Sequence, residues 1–346
     1  MKKSLVALAV LAASGASFAQ SSVTVYGLAD VWFGSTKSTD GVTGTSLTQT
    51  KLDSGGVNTS RWGLKGSEDL GGGLKANFKL EQGFNLDTGV AKTTDNFSGA
   101  AVAGQAFSRE SYVGFSGGFG EVKLGKVWTA YDDVSGASDA VFDSALSPMN
   151  HVFESVNYLG NPGNTIYYAT PSMGGFSAAI SYSLGENKTA TTSASAVTSL
   201  NVSYAAGPVA AHLGYQVQDT DNSVAGSADA KFTRLGGSYD FGVAALKATY
   251  GKVNNVGGVS GFDTTEYQLG VDFPVSAALT VSASYAKSDD SNVGFEQSRK
   301  GYGIAAAYTL SKRTFLYGGY TDNKFSNAGA GDDKVSILAV GVQHKF

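Results

Sequence analysis

The chain has 346 residues, of which 46 are glycine and none is cysteine, and its formal net charge is −4 at pH 7. The lack of cysteine excludes a disulfide framework, and the slightly acidic balance argues against a nucleic-acid partner. After the N-terminal segment no run of about 18 apolar residues occurs, so the sequence predicts no membrane helix.

The first 19 residues have the pattern of a secretory signal peptide. Lys2 and Lys3 precede an apolar run over residues 5–13, and Ser17 and Ala19 are the small residues that a signal peptidase reads. The alternative is a short buried N-terminal helix. We expect cleavage before Gln20, so that residues 1–19 are a leader and residues 20–346 form one domain.

Beyond the leader, apolar and polar residues alternate in segments of about ten residues, as in β-strands. In the first segment, Val23, Val25 and Phe33 share an apolar face, whereas Thr24 and Asp30 lie on the opposite face. A soluble β-sandwich also alternates, but its dry core would reject the Lys, Glu, Asp and Gln residues that occur in mid-strand here. Closed barrels satisfy every backbone polar group in lipid, so the pattern predicts a barrel in a membrane.

Short turns and long polar loops follow one another regularly along the chain. The tight turns fall at residues 68–73, 116–120, 171–175, 205–208, 240–242, 274–277 and 310–313. The long polar connections fall at residues 34–59, 85–108, 185–196, 219–231, 253–263, 287–298 and 322–333. Seven tight turns and two free ends predict an all-β fold, a 16-stranded antiparallel transmembrane β-barrel. A barrel of this size is wide enough to hold water.

One connection, residues 127–163, differs from the others in composition. It combines apolar residues such as Trp128, Leu146 and Phe153 with several aspartates. Long loops without secondary structure are uncommon unless they are functional. We expect this third loop to fold inward against the wall of its own barrel.

Several stretches carry a resemblance to a known family. They are residues 23–27 (VTVYG), 60–70 (SRWGLKGSEDL), 109–125 (RESYVGFSGGFGEVKLG), 164–176 (NTIYYATPSMGGF), 310–314 (LSKRT) and 341–346 (GVQHKF). In these stretches the chain resembles the general porins of Gram-negative bacteria, especially the neisserial and burkholderial branch. The resemblance implies a homotrimer in the outer membrane, a third loop that narrows each channel, and a C-terminal Phe346 that serves as the barrel assembly signal.

The resemblance also implies a constriction with a basic and an acidic side. Its basic wall maps onto Arg61, Lys65, Arg109 and Lys126, and its acidic loop onto Asp132, Asp133, Asp139 and Asp143. Alternation with Trp62 and Leu64 independently turns Arg61 and Lys65 inward, where they could also form a structural ion-pair network. For Arg109 alternation does not decide, and only the resemblance places it inside.

Two departures from the family pattern weaken the expected basic wall. Tyr167 stands where the family often has an arginine, with another basic position near Asn161, and Lys126 replaces the arginine of a Gly-Arg pair. Lysine keeps the charge but lacks the planar guanidinium. We therefore expect weak charge selectivity.

These features predict a water-filled general diffusion channel for small hydrophilic solutes and ions, without a cofactor or catalytic activity. The expected partners are two further copies of the chain, outer-membrane lipid and lipopolysaccharide. A substrate-specific channel and a barrel enzyme or adhesin are the alternatives; the three histidines show no catalytic or zinc spacing. The pairs Asp289-Asp290 and Asp332-Asp333 could bind a divalent cation, although solvated loop charge is the favoured interpretation.

Overall fold

In a computed structural model, the protein is described over residues 22–93, 105–219, 227–291, 296–327 and 331–346. The expected leader, residues 1–19, lies outside this range. The strands are β1 Ser22–Thr39, β2 Ser46–Ser54, β3 Arg61–Gly71, β4 Leu74–Gly83, β5 Glu110–Gly117, β6 Gly120–Lys126, β7 Thr165–Ala169, β8 Phe176–Leu184, β9 Ala196–Ala206, β10 Val209–Gln218, β11 Ala230–Asp240, β12 Ala245–Asn254, β13 Thr264–Pro274, β14 Leu279–Asp290, β15 Gln297–Thr309, β16 Thr314–Asn327 and β17 Asp332–Lys345. The short helices are α1 Asp132–Ser135 and α2 Met149–Val152, with single 3-10 turns at Val141–Asp143, Glu154–Val156 and Val256–Gly258.

These segments form one closed antiparallel barrel. From β3 to β17 each strand pairs with the next one in sequence, β1 pairs with both β2 and β3, and β1 also pairs with β17 from Leu28↔Lys345 to Thr39↔Lys334. Beyond that ladder, the backbone N–H of Gly27 donates to Phe346 O, and the N–H of Phe346 donates to Gly27 O, both at 3.0 Å. Closure leaves neither terminal strand with a free edge.

The 17 segments make 16 strands, as the turn pattern predicted. One edge of β1 pairs with β3 through Ser22–Leu28 and with β2 through Val31–Thr39. The segments β2 and β3 are therefore the two halves of one barrel strand, which residues 55–60 interrupt.

The long connections are shorter than the sequence indicated. Residues 34–59, expected to be an external loop, instead contain most of a β-hairpin, and strands also extend into residues 287–298 and 322–333. These strand ends are polar on both faces, and polarity was the signal by which loops were identified. The backbone pairing of these strands continues beyond the apolar band, where the outward face can be polar. The sequence pattern therefore predicted strand ends that are too close to the apolar band.

The two faces of each strand differ as alternation predicted. Val23 and Val25 are 64% and 66% exposed, whereas Asp30 is fully buried. On β13, Tyr267 and Leu269 are exposed on the outside, and Gln268 between them is buried on the inside. An apolar outer surface around a polar interior is the arrangement of a membrane barrel. Among the described residues, no helix is long and apolar enough to cross a membrane.

Residues 127–163, hereafter the inner segment, contact the polar faces of many strands. The N–H of Tyr131 donates to Ser199 Oγ of β9 at 2.6 Å, and the N–H of Val141 donates to Ser282 Oγ of β14 at 2.7 Å. Further along, the N–H of Ala145 donates to Gly56 O at 2.8 Å. Both serines lie on the buried face of their strands. Small hydroxyl side chains there let the segment's backbone approach closely and satisfy its polar groups.

Residues 55–60, between β2 and β3, are held by one buried carboxylate. Asp30 accepts hydrogen bonds from the N–H groups of Gly56, Val57 and Asn58 at 2.9, 3.2 and 2.9 Å, and from the Tyr317 hydroxyl at 2.5 Å. A buried carboxylate needs such donors in place of water. The bend in the second barrel strand thereby becomes a fixed support for Ala145 of the inner segment.

Deletion of Phe346 is expected to reduce the amount of folded barrel in the outer membrane several-fold. The deletion removes two hydrogen bonds that close the barrel and an aromatic ring that lies against Gly27, where an added Cβ would come within 2.4 Å of Phe346 Cζ. The heat-modifiable fraction of protein in isolated outer membranes measures the effect. Phe346→Tyr, which keeps the ring and the backbone pairing, is the control. Equal folded yields for the deletion and the wild type would show that this end is dispensable for assembly.

Candidate functional site

Glu81 on β4 gathers several cations on the inner face of β3 to β5. Its carboxylate lies 2.6 Å from Arg109 Nε, 3.7 Å from Arg61 Nε and 3.4 Å from Lys79 Nζ. The Tyr26 hydroxyl donates to the same carboxylate at 2.8 Å. Adjacent strands in register present their inward side chains to one another, which explains why these residues meet.

Further cations rest on aromatic rings along the same wall. Lys65 Nζ lies 5.0 Å from the Tyr26 ring centroid, and Lys123 Nζ lies 4.8 Å from that of Tyr167. Arg109 Cζ lies 4.9 Å from the ring centroid of Trp128. Such contacts hold a cation in place without neutralising it. We call this set the cationic arc: Arg61, Lys65, Lys79, Arg109 and Lys123.

Sequence reasoning identified only part of the cationic arc. The period-two pattern of β4, which places Lys75, Asn77, Lys79 and Glu81 on one face, could have revealed the inward Lys79 and its carboxylate partner. Lys123 shares its face with Tyr112 and Tyr167, and was missed because β6 is short. The wall is consequently richer in charge than the missing arginine at Tyr167 suggested.

Lys126 occupies a different position from the rest of the predicted basic wall. It ends β6, and its ammonium donates to Asn161 O at 2.6 Å. The Asn161 amide in turn donates to Arg109 O at 2.9 Å. These contacts join the beginning and the end of the inner segment, next to the cationic arc.

The four predicted aspartates of the inner segment fall into two environments. Asp132 accepts from the Tyr158 hydroxyl at 2.6 Å, Asp133 from the Tyr167 hydroxyl at 2.8 Å, and Asp143 from Asn150 Nδ2 at 3.1 Å. These three line a cavity of about 390 Å³ together with Tyr158, Asn150 and Arg234, which we call the acidic cavity. Asp133 and Asp143 are exposed there.

Asp139 lies apart from the acidic cavity. It is only 2% exposed and accepts hydrogen bonds from Ser147 Oγ at 2.8 Å and from Gln268 Nε2 of β13. Lys247 Nζ donates to the backbone carbonyl of Asp139 at 2.8 Å. The contacts of Asp139 therefore fix the inner segment to the wall.

Three buried ionic groups that the sequence did not single out also hold the inner segment. Arg234 is 1% exposed and donates to Ser135 O and Ser155 Oγ. Glu266, fully buried, accepts from the N–H of Ser155 at 3.2 Å and from that of Glu154. Arg299 forms ion pairs with both Glu154 and Asp290. Loss of one partner would leave an uncompensated buried charge, so these groups hold the segment firmly.

Burial raises the pKa of three of the four aspartates, Asp132, Asp133 and Asp139. The loss of water around Asp132 raises its pKa to about 7, and the neighbouring Asp133 and Asp143 raise it further against the opposing effect of Tyr158 and Arg109. Burial likewise raises the pKa of Asp139 to about 7, with Asp143 adding to the effect. Both groups therefore change charge near neutral pH.

The described residues contain no group of three or more His, Cys, Asp or Glu side chains suited to a metal ion. The aspartate pairs considered for divalent cations lie at strand ends and have protein partners. Asp289 pairs with Lys287 at 2.7 Å, Asp290 with Arg299, and Asp332 with Lys324. His344 is exposed and hydrogen-bonded to Thr314 at 2.8 Å.

The comparisons with known proteins agree with this architecture. A family profile described as Gram-negative porin matches residues 4–328. Outer membrane porin protein 32 of Delftia acidovorans is 36% identical over 362 residues, covering 99% of this chain and 95% of the relative. An outer membrane porin protein of Bordetella pertussis is 30% identical over 405 residues, covering 100% of both chains.

Solved structures give the same result. An anion-selective porin from Comamonas acidovorans superposes with a TM-score of 0.76 at 29% identity, covering 94% of this chain and 100% of the other. The trimer form of OmpT from Vibrio cholerae, at 16% identity and a TM-score of 0.65, covers 94% of this chain and 99% of the other, and shares the fold.

A closed barrel with a charged polar interior defines a channel protein of the outer membrane. This chain belongs to the Gram-negative porin family, as the sequence resemblance indicated. It is an outer-membrane porin, and the family is one of channels rather than enzymes.

The ion preference of the channel is expected to move toward anions as the pH falls from about 8 to about 6. Asp132 and Asp139 lose their negative charge as the pH falls through about 7. The raised pKa values of these two carboxyls also stabilise the folded state at low pH. Their contribution to the free energy of unfolding is fully present below about pH 4 and is lost as the pH rises through 7. The reversal potential in a salt gradient across a planar bilayer, recorded at several pH values, measures the shift.

The pair Asp132→Asn and Asp139→Asn should flatten this pH profile. Asp69→Asn with Asp240→Asn, which removes two carboxylates from the tight turns, is the matched control and should leave the profile unchanged. If the reversal potential of the Asp132 and Asp139 double variant changes with pH as much as that of the wild type, other groups titrate in the channel.

Proposed function

We propose that the protein is a general diffusion channel whose constriction lies between the cationic arc and the acidic cavity. The single observation that carries the proposal is the proximity of opposite charges in the lumen. Arg109 packs on Trp128 of the inner segment, Asp132 and Asp133 lie a few residues further along the same segment, and the charge of Arg109 acts to lower the pKa of Asp132. A transverse field between such walls sorts solutes by charge and dipole, after size exclusion has admitted them.

We further propose a weak preference for anions. The cationic arc holds five cations against three carboxylates, a surplus of two positive charges: Arg61, Lys79 and Arg109 share Glu81, Lys79 also pairs with Glu110, and Lys123 pairs with Glu121 at 3.1 Å. On the other side only Asp133 and Asp143 are exposed, and the raised pKa of Asp132 reduces the mean negative charge of the acidic cavity near pH 7. The related Comamonas acidovorans structure is described as anion-selective, which is in keeping with this sign.

A substrate-specific channel is the second candidate, and the lining offers less support for it. Such channels present a continuous aromatic track, whereas the inward positions of β8 and β9 include Ser181, Ser183, Ser199 and Asn201, and those of β15 include Ala305. Small polar and apolar side chains bind no particular solute strongly.

Residues 1–19, on this proposal, direct the chain to the cell envelope and are removed.

Arg61→Ser with Arg109→Ser is expected to widen the channel and to move the reversal potential toward cations. Two unit charges about 8 Å apart interact by roughly 2 kcal/mol at an effective dielectric constant near 20, enough to change ion permeability ratios several-fold. The double change also leaves Glu81 with fewer cationic partners. Asp133→Asn with Asp143→Asn should move the reversal potential in the opposite direction.

Single-channel conductance and reversal potential in planar bilayers test these variants. Lys312→Ser with Arg313→Ser removes two cations from an exposed turn and is the matched control for the arginine pair. The differences should shrink in molar salt, where the screening length is about 3 Å. If both lumen variants conduct like the control at low salt, the constriction lies elsewhere.

We also propose that the porin is a homotrimer, as the family resemblance implies. The outward face of β1 and β3 is apolar and exposed at Val23, Val25 and Trp62, which suits contact with a neighbouring barrel as well as with lipid. The unheated protein is expected to migrate on a gel as a species about three times the chain mass, and to collapse to the chain mass on boiling. A monomeric mass by light scattering in mild detergent contradicts the trimer.

A further inference from the structure

The inner segment is attached to the barrel wall over residues 138–141, which lie against β12 to β14. Lys247 Nζ of β12 donates to Asp139 O at 2.8 Å, and the N–H of Val141 donates to Ser282 Oγ of β14 at 2.7 Å. We call residues 138–141 the anchor. Asp139 is the only residue of the anchor with an ionisable side chain.

The side chains of Asp139 and Gln268 share one hydrogen bond, and each has a second oxygen that is buried without a partner. Gln268 Nε2 of β13 donates to Asp139 Oδ1, which also accepts from Ser147 Oγ at 2.8 Å. Among the residues that the structure describes, neither Asp139 Oδ2 nor Gln268 Oε1 has a hydrogen-bond partner. An ionised carboxylate and an amide oxygen are both acceptors, so these two atoms cannot satisfy each other while Asp139 is charged.

One proton on Asp139 provides for both unpaired oxygens. A protonated carboxyl group has one O–H donor. With the proton on Oδ2, Asp139 donates to Gln268 Oε1 while Gln268 Nε2 still donates to Asp139 Oδ1, and the two planar groups are joined by two hydrogen bonds. Asp139 and Gln268 are only 2% and 1% exposed, and a neutral pair at such a site avoids the cost of burying a charge.

The nearby cations are engaged with other groups. Lys247 pairs with Asp272 Oδ2 at 2.7 Å besides its contact with the backbone of Asp139, and Arg234 donates to two oxygens of the inner segment. The inward residues of β14 beside the anchor are serines. The charged and titratable groups around Asp139 are Asp143 on the inner segment, His212 on β10, Arg234 on β11, Lys247 on β12, and Glu266 and Asp272 on β13.

We propose that a proton shared by Asp139 and Gln268 holds the anchor on the wall, and that the inner segment is released from β12 to β14 when Asp139 loses this proton. The ionised carboxylate would face Gln268 Oε1, and its charge would be buried with one oxygen unpaired. Movement of the anchor into the lumen brings Asp139 to water and narrows the pore. The inference rests on the proposed channel function, because it makes the position of the inner segment visible as conductance.

The pH dependence of the anchor has a definite sign. Burial, followed by the neighbouring Asp143, raises the pKa of Asp139 to about 7 on the wall, whereas an aspartate in water has a pKa of about 3.9. The stabilisation of the anchored state is therefore fully present below about pH 4 and is lost as the pH rises through 7. Between pH 6 and pH 8 the ratio of released to anchored molecules should rise about tenfold.

Single-channel recording of the folded full-length porin in planar bilayers, at pH 6 and pH 8, tests the proposal. In the wild type, the ratio of time in low-conductance substates to time in the main open state should rise about tenfold. Asp139→Asn should keep this ratio low at both pH values, because the new amide donates to Gln268 Oε1 and has no proton to lose in this range. Gln268→Met removes both hydrogen bonds at similar side-chain length and should raise the ratio at pH 6 by at least about fivefold.

Asp240→Asn is the matched control, because it removes one carboxylate from an exposed tight turn. Its substate ratio should change with pH as in the wild type. Heat-modifiable migration checks that each variant folds.

Infrared difference spectra between pH 6 and pH 8 report the proton directly. The carbonyl band of the protonated Asp139 should be lost at pH 8, be absent from Asp139→Asn, and shift in Gln268→Met because its hydrogen bonds have changed. Asp132, whose pKa is also raised to about 7, gives a second band that these variants keep.

Any of three results contradicts the proposal. They are a wild-type substate ratio that is equal at pH 6 and pH 8, a tenfold rise that persists in Asp139→Asn, and a Gln268→Met variant with the substate ratio and infrared band of the wild type. The reversal potential separates this inference from the proposed constriction. If Arg61→Ser with Arg109→Ser leaves the reversal potential unchanged while the substate ratio still depends on Asp139, the constriction lies elsewhere and the proton-dependent anchor stands.

Discussion

The need to pair every backbone polar group within lipid governs the rest of this structure. A strand with an open edge would expose unsatisfied N–H and C=O groups to hydrocarbon, and only closure removes the edges. The ladder between β1 and β17, extended by Gly27 and Phe346, provides that closure. Once the sheet is closed, alternation places one side chain toward lipid and the next toward the lumen, so each strand carries both surfaces in a single sequence.

The interior follows a different rule from that of a soluble core, because water has access to it. Polar groups such as Gln268 and Glu266 are buried on the inner face, but each contacts another part of the protein. Serine hydroxyls and the guanidinium of Arg234 take the place of water for the backbone of the inner segment. The same polar wall that suits a channel therefore holds a long loop without a large hydrophobic core.

Charged residues are distributed unevenly around the barrel, so that cations and carboxylates are concentrated in different regions of it. Inside, the cationic arc is concentrated on β3 to β6, where Glu81 and aromatic rings keep the cations close together. The buried aspartates lie on the inner segment, where desolvation changes their charge near neutral pH. Outside, Lys287, Lys300, Lys324 and Lys334 lie side by side across β14 to β17. Each group depends on strand register, which brings distant residues side by side.

The sequence alone determined the fold class, the strand number and the inward direction of Arg61 and Lys65, because period-two alternation is a local property of the chain. It wrongly predicted a loop over residues 34–59, because polar residues occur both in loops and in paired strands that extend beyond the membrane. Only the tertiary structure decided which charges meet: Glu81 with Arg109, Arg299 with Glu154, and one lysine with the next across β14 to β17. Such pairings depend on register and closure, which join residues far apart in sequence and leave no local pattern to read.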